Sequence, residues 1–440
     1  MTPNELTNSV FTFVPKILEF KQKPPTDNKL KLKGSAAERG IIDWSDKMVH
    51  TAIIIRQKFH DFSDEKISVL INKIEYGFAD ESTYKEYYKF VYDILQYSDF
   101  QDKISQEYLK EKVLLWIIDV NINGRVKEDF WVYIYRNIDQ DVHHVTYYYP
   151  ILNIDIEKEF KIGNSRITYF TKENSAHFFE GGSSIDNDDG IQKMLEKFQG
   201  KVHVAVTIEA EEKLAGDLAL RNANYAIDIL KLTGPTVAIP NERCYIELES
   251  KMPFSYEYFS CKENNISKFS FHVGVNREHE LNYTSQMIDN WSSLFNAIGF
   301  LNEKSDQLSI LVSNSVRFFS KCMSENDLHL RVTQLVMIIE GIFLKDDEKY
   351  QMEKKSKKRL LEFRFRNDNQ NKERFGNILD NMYQIRHKMT HKSKRLYIDN
   401  SELALFQMEI INIFQILLSH QTNFHKEDFL NGLDEKINYN

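Results

Sequence analysis

The sequence predicts an α+β protein with three parts: a mainly helical N-terminal region over residues 1–125, a mixed, β-rich middle region over 126–278, and an all-helical C-terminal domain over 279–440. Three observations predict this. Apolar residues make up 42% and charged residues 28%, with only 16 Gly and 8 Pro in 440 residues, the balance of a chain that folds and is long enough for two or three cores. After about residue 125 the pattern changes from helical spacing to β-branched and aromatic runs. From Tyr283 helical spacing returns and lasts to the end.

In the first region, a polar, Pro-containing stretch from Lys21 to Gly40 precedes Trp44, Met48, Ala52, Ile55 and Phe59, whose three- and four-residue steps predict helix within 41–96. A second helical run covers about 104–120. In the middle region Phe130–Tyr135, Val145–Ile151 and Glu159–Thr171 read as strands. The last contains a hairpin, with Phe160 and Ile162 before Gly163-Asn164 and Ile167 and Tyr169 after it; glycine at the first turn position fits a type II′ turn. Val202–Ile208 is a further strand. It leads into a helix over Glu211–Leu232, where Ala215, Ala219, Ala223 and Ala226 form a stripe that lets a helix lie close to a sheet. Cys244–Glu249, Tyr256–Cys261 and Lys268–Val273 complete the strand-like segments.

The C-terminal domain divides into helices near 283–301, 305–323, 327–345, 351–366, 371–391 and 401–420. The last opens on Asp399-x-x-Glu402, a capping-box pattern, and carries an apolar face of Leu405, Met408, Ile411 and Ile416 that is expected to be buried.

Several function classes lose their anchor. Cys244, Cys261 and Cys322 are far apart and form no CxxC pair, which argues against a disulfide scaffold or a zinc ribbon and for a reducing compartment. Met1–Lys16 does not read as a secretory signal, and the most apolar windows, Leu335–Leu344 and Ile410–Leu418, fall short of a spanning helix; a soluble, cytoplasmic protein is expected. GxxxxGK[ST], HExxH and GxSxG patterns are absent. Ile185–Gly190 with Glu196 imitates a calcium loop, but Ile185 offers no oxygen at the first ligand position. His143-His144 lies in a strand-like run where neighbours point to opposite faces, so one surface and one core histidine are expected rather than a metal pair.

Charge is unevenly placed. The chain carries 57 Lys and Arg against 65 Asp and Glu, yet Gln351–Arg395 holds 14 against 5, a net of +9 that leaves −17 for the remainder. Such a segment can draw a polyanion to one place on an otherwise repelling surface. A solvated basic helix has the same composition.

Within this segment stands Tyr383-Gln384-Ile385-Arg386-His387-Lys388-Met389-Thr390-His391-Lys392. Phe375, Ile378, Met382, Ile385 and Met389 repeat at steps of three and four and predict one buried stripe, leaving Arg386, His387 and His391 on a polar arc. At about 100° per residue, Arg386 and His391 stand about 140° apart, and His387 shares a face with His391. A guanidinium that grips phosphate oxygens and an imidazole that moves protons form a pair suited to phosphodiester cleavage, with no cofactor or metal required in principle.

These residues resemble the HEPN superfamily, whose ribonucleases carry arginine, a polar residue, three further residues and histidine; Arg386–His391 matches position by position. The wider order is similar to the ApeA-like, anti-phage branch: an apolar helix ending in glutamate (Leu335–Ile342 with Glu340), a basic helix (Lys354–Arg366), then a helix with an aromatic, Tyr383, shortly before the arginine. About the last third of the chain is covered. Two departures are visible: Lys392 stands where many relatives have glycine, and His387 where that branch favours a smaller polar residue.

The resemblance implies a helical bundle that forms a homodimer with a composite, metal-independent endoribonuclease site, acting as a toxin or abortive-infection effector in antiviral defence. His391 would assist proton transfer, Arg386 would stabilise charge on phosphorus, His387 and Glu340 would support them, and Lys388 and Lys392 would steer the RNA. The N-terminal regions would meet a phage-derived or cellular trigger or restrain the nuclease. For Glu340, a helix-edge carboxylate pairing with any nearby base is an equal alternative. For the domain, the alternative is a non-catalytic RNA- or nucleotide-binding HEPN module used for dimerisation and partner contact.

Overall fold

The computed structural model describes residues 3–20, 52–58, 65–71, 74–169, 200–242, 244–248, 258–262, 265–270, 281–419 and 424–438. The protein is α+β, and its contacts divide into two compact units, residues 1–145 with 208–218, and 146–207 with 219–440.

In the first unit, helix α1 (Pro3–Phe11) is followed by strands β1 (Ile17–Phe20), β2 (Ala52–Lys58), β3 (Glu65–Ile71) and β4 (Ile74–Phe78), then helices α2 (Glu81–Leu95), α3 (Gln106–Asn123) and α4 (Phe130–Asp141). The strands form an antiparallel sheet in the order β1-β4-β3-β2. The helix expected within 41–96 forms over Glu81–Leu95, but the part of that expectation that rests on Ala52 and Ile55 is corrected. Ala52 and Ile55 lie in a strand paired along its whole length with β3, whose Ile67, Val69 and Ile71 are buried at period two; Trp44, Met48 and Phe59 lie outside the described residues. Ala52-Ile53-Ile54-Ile55 is a short continuous apolar run, which a helix and a strand can share, and pairing decided. A second correction concerns Phe130–Tyr135, which opens α4 instead of forming a strand. Asp129 accepts from the backbone N–H groups of Trp131 and Val132, and Phe130, Tyr133, Ile134, Asn137 and Ile138 bury one helical face. The cap and the i, i+3, i+4 burial outweigh the β preference of an aromatic run. Phe13, Phe78, Tyr87 and Phe90 join ring to ring at the centre of this core.

A five-stranded sheet, most of it in the second unit, runs in the order β10-β5-β9-β8-β7, from β5 (His143–Leu152), β7 (Phe160–Ile162), β8 (Ser165–Tyr169), β9 (Val202–Ala210) and β10 (Glu247–Leu248). The short strand β6 (Ile154–Ile156) pairs in parallel with β13 (Leu281–Tyr283), and β11 (Tyr258–Lys262) pairs with β12 (Asn265–Ser270). The β7–β8 hairpin forms as expected: Ile162 faces Ser165 across Gly163-Asn164, and Gly163 has φ +57°. A Cβ on Gly299 would lie 2.3 Å from the Gly163 nitrogen, so both positions require glycine for the turn to dock. Helix α5 (Glu212–Leu230) buries its whole alanine stripe. Among the described residues of the segment from Cys244, Glu247–Leu248 join the sheet.

After the short helix α6 (Pro235–Ala238), the described residues form seven further α-helices: α7 (Ser285–Gly299), α8 (Gln307–Ser324), α9 (Leu328–Phe343), α10 (Met352–Phe365), α11 (Asn369–Lys392), α12 (Asn400–Leu418) and α13 (Lys426–Asn438). Six match the predicted segments; α13 was not anticipated. Asp399 caps α12, accepting from Ser401 and Glu402 N–H groups, while the Glu402 carboxylate accepts from Asn381. The buried face of α12 runs through Leu403, Phe406, Ile410 and Phe414 along with Ile411, whereas Met408 is exposed, a correction to the expected face. Among the described residues α12 is the one helix long and apolar enough to cross a membrane, and half of it is buried in the bundle.

The bundle is locked by a buried arginine. Arg359, 2% exposed, forks onto Glu348 at 2.6 and 2.8 Å and onto Asp434 at 2.7 Å twice, and donates to the Phe343 carbonyl at 2.9 Å. It thereby ties α10 to the end of α9 and to α13.

Candidate active site

Helix α11 carries the predicted site. Asp368 caps its start, and Phe375, Ile378, Met382, Tyr383 and Ile385 bury one side; Met389 is half-buried. Its end falls one residue beyond the motif. Lys392 is still helical, and Ser393 takes the left-handed conformation (φ 47°), its N–H bonding the Lys388 carbonyl. Serine thus does at 393 what glycine does at many helix ends, and His391 and Lys392 occupy the last turn, where exposed carbonyls favour positive charge.

The loop that follows is tied to the start of α9. Arg395 pairs with Asp327, which also caps α9, and His329 Nε2 lies 2.8 Å from the Leu396 carbonyl. These ties span 67 and 68 residues of sequence, so no local spacing signals them.

Arg386 is half-buried, and its Nη1 donates to Glu340 Oε1 on α9; the carboxylate side chain is 10% exposed. Beside it Tyr383 is buried with its hydroxyl 2.6 Å from Ser356 Oγ on α10, and burial, with Glu340 nearby, pushes the phenol well above its ordinary range. Thr390 Oγ1 donates to the Arg386 carbonyl at 2.8 Å.

His387 and His391 are exposed, and their rings meet with centroids 4.9 Å apart at 48°. The expected polar arc is therefore split. The structure brings His387 to His391 and Arg386 to Glu340, but among the described residues no hydrogen bond or ion pair joins Arg386 to either histidine. Helix geometry explains this: Arg386 stands about 100° from His387 and 140° from His391, turned to α9 while the imidazoles face solvent.

The basic segment is less basic in space than in sequence. Of its 14 cations, Lys355, Lys357, Arg359, Arg364, Arg366, Lys372, Arg386 and Arg395 pair with carboxylates, several from outside the segment. Lys388 and Lys392 have no ion pair among the described residues.

Elsewhere, His143 and His144 are both exposed, which corrects the expectation of one core histidine; they open β5, whose burial rises only toward its far end at Ile151. Among the described residues no group of three His, Cys, Asp or Glu could hold a metal ion. The calcium-like stretch at 185–196 lies outside the described residues. Cys244 and Cys322 are free, buried thiols.

No protein-family model matches the chain, and neither the curated proteins nor the solved structures give a match.

Proposed function

We propose that the C-terminal bundle is a HEPN-type endoribonuclease that works by metal-independent 2′-hydroxyl transesterification and serves as an anti-phage or toxin effector. The observation that carries the reading is the placement of the six-residue motif: an arginine oriented by a carboxylate from the neighbouring helix, and an accessible imidazole pair on the final turns of the same helix. In this scheme an imidazole takes the proton from the ribose 2′-hydroxyl as its oxygen bonds to phosphorus. The bond from phosphorus to the 5′-oxygen breaks, and that oxygen receives a proton, leaving a 2′,3′-cyclic phosphate and a 5′-hydroxyl. Arg386 stabilises the charge that builds on the phosphoryl oxygens. Because Arg386 and His391 diverge within one chain, two copies supply the groups that meet at one phosphate.

The test is cleavage of mixed RNA in EDTA by wild type, Arg386→Ala and His391→Ala, with product ends determined by phosphatase and kinase treatment. Loss of cleavage in both variants with RNA binding retained supports the reading; equal cleavage in all three rejects it. The Arg386–Glu340 pair also favours a second reading, a non-catalytic RNA- or nucleotide-binding module, since a neutralised guanidinium is less available to a reacting phosphate. That reading requires binding without cleavage in wild type. The regions before the bundle, residues 1–278, are then the part that meets a trigger or restrains the nuclease, and trigger-dependent activation of full-length protein tests this.

A further inference from the structure

The cations left without an ion pair among the described residues in the basic segment are Lys354, Lys358, Arg374, Lys388, Lys392 and Lys394. Four of them lie along the α10–α11 hairpin, on the stretch that leads to the imidazole pair, once its register is read. Lys357 pairs with Asp380, Ser356 bonds Tyr383, and Glu362 pairs with Lys372 at 2.9 Å, so the helices run antiparallel with residue 354 level with about residue 385. On α10, Lys354 and Lys358 are exposed one turn apart and flank the row of Lys357 and Leu361 that faces α11. On α11, Gly376 and Asp380 meet that row, and His387 and His391 continue their stripe along the helix at steps of seven and four residues.

We infer that this seam is a single-stranded RNA track, with Lys354 and Lys358 on α10 and Lys388 and Lys392 on α11 holding successive phosphates across His387 and His391. The inference rests on the ribonuclease reading and adds two residues that lie outside the motif. From the level of Asp380 to Lys392 the seam runs about 18 Å, enough for roughly three or four phosphates of an extended strand. A single strand fits better than a duplex for a chemical reason as well. The 2′-oxygen must come into line behind the scissile bond, and A-form pairing holds the backbone out of that arrangement. The neighbouring cations that could compete, Lys355, Lys357 and Arg359, are already neutralised by Glu348, Asp380 and Asp434.

The experiment uses the full chain and a fluorescein-labelled, 2′-O-methyl 12-mer of mixed sequence, which cannot be cut, followed by anisotropy at several salt concentrations. A blunt RNA duplex of the same length serves as a second probe. Lys354→Gln/Lys358→Gln should weaken binding roughly tenfold and flatten the dependence of log K on log salt by about 1.4, two single-strand phosphate contacts. The charge-matched control Lys304→Gln/Lys321→Gln should leave both unchanged. The track is overturned if the slope is unaltered, if the control falls as far, if the duplex binds more tightly than the single strand, or if wild type does not bind. An unmodified 12-mer separates the two ideas. Cleavage lost in Arg386→Ala and His391→Ala but with no Lys354/Lys358 effect on binding rejects the track alone; lysine-dependent binding with no cleavage rejects the nuclease alone.

Discussion

Removing Arg386 tests two things at once, and a double-mutant cycle with Glu340 separates them. The ion pair is partly desolvated, with side chains 27% and 10% exposed, so its coupling should fall between the tenths of a kcal/mol typical of open surface pairs and the 3–5 kcal/mol cost of breaking a buried one, at about 1–3 kcal/mol. Arg386→Ala leaves the Glu340 carboxylate without its cation and should cost more than Glu340→Gln, which leaves a half-exposed guanidinium that water can reach. In the double variant no stranded charge remains, so stability should recover part of the loss, while RNA cleavage should not. Urea unfolding followed by circular dichroism gives the three stability changes, and cleavage of mixed RNA gives activity. Stability effects that simply add, within about 0.5 kcal/mol, would show that the pair contributes no coupling. Cleavage restored in the double variant would show that Arg386 acts on folding and not on phosphate.

Other consequences can be measured independently. The Arg359 guanidinium holds the Glu348 carboxyl at about 2 against an ordinary 4.5, so this group contributes about 3 kcal/mol of stability in full above pH 4.5, lost as pH falls from 4.5 towards 2. Glu348→Gln should flatten that part of the stability–pH curve, and an unchanged acid limb refutes the assignment. Gly299→Ala places a methyl 2.3 Å from the Gly163 nitrogen, a backbone contact that cannot yield by side-chain rotation; a loss of at least about 3 kcal/mol, read by thermal unfolding, is expected. Burial pushes the Cys322 thiol up to about 12 and raises Cys244 as well, so peptide mapping after iodoacetamide should find both unlabelled in the native protein and labelled in guanidinium.

Most of the C-terminal helices could be read in the sequence because their apolar steps repeat over three or more turns, a signal that chance rarely imitates. The β7–β8 hairpin was equally legible, since Gly163-Asn164 between two alternating runs determines both turn and register. The first region misled because Ala52 to Ile55 is an unbroken apolar run, too short for its periodicity to tell helix from strand, and only pairing with Ile71 and Ser68 resolves it. Phe130–Tyr135 misled for a complementary reason: composition favoured a strand, while one carboxylate at Asp129 and a waiting core selected a helix.

By itself the sequence determined which side chains are the candidates: a guanidinium and two imidazoles at fixed steps on one helix, amid a surplus of positive charge. It could not determine where that charge is free. Five carboxylates from elsewhere in the chain, at positions 327, 340, 348, 409 and 434, cancel much of the surplus, because ion pairing depends on distance in space and is blind to separation along the chain. Tertiary structure therefore decided that Arg386 answers to Glu340, that the imidazoles face solvent together, and that Lys354, Lys358, Lys388 and Lys392 are among the cations left without a carboxylate among the described residues.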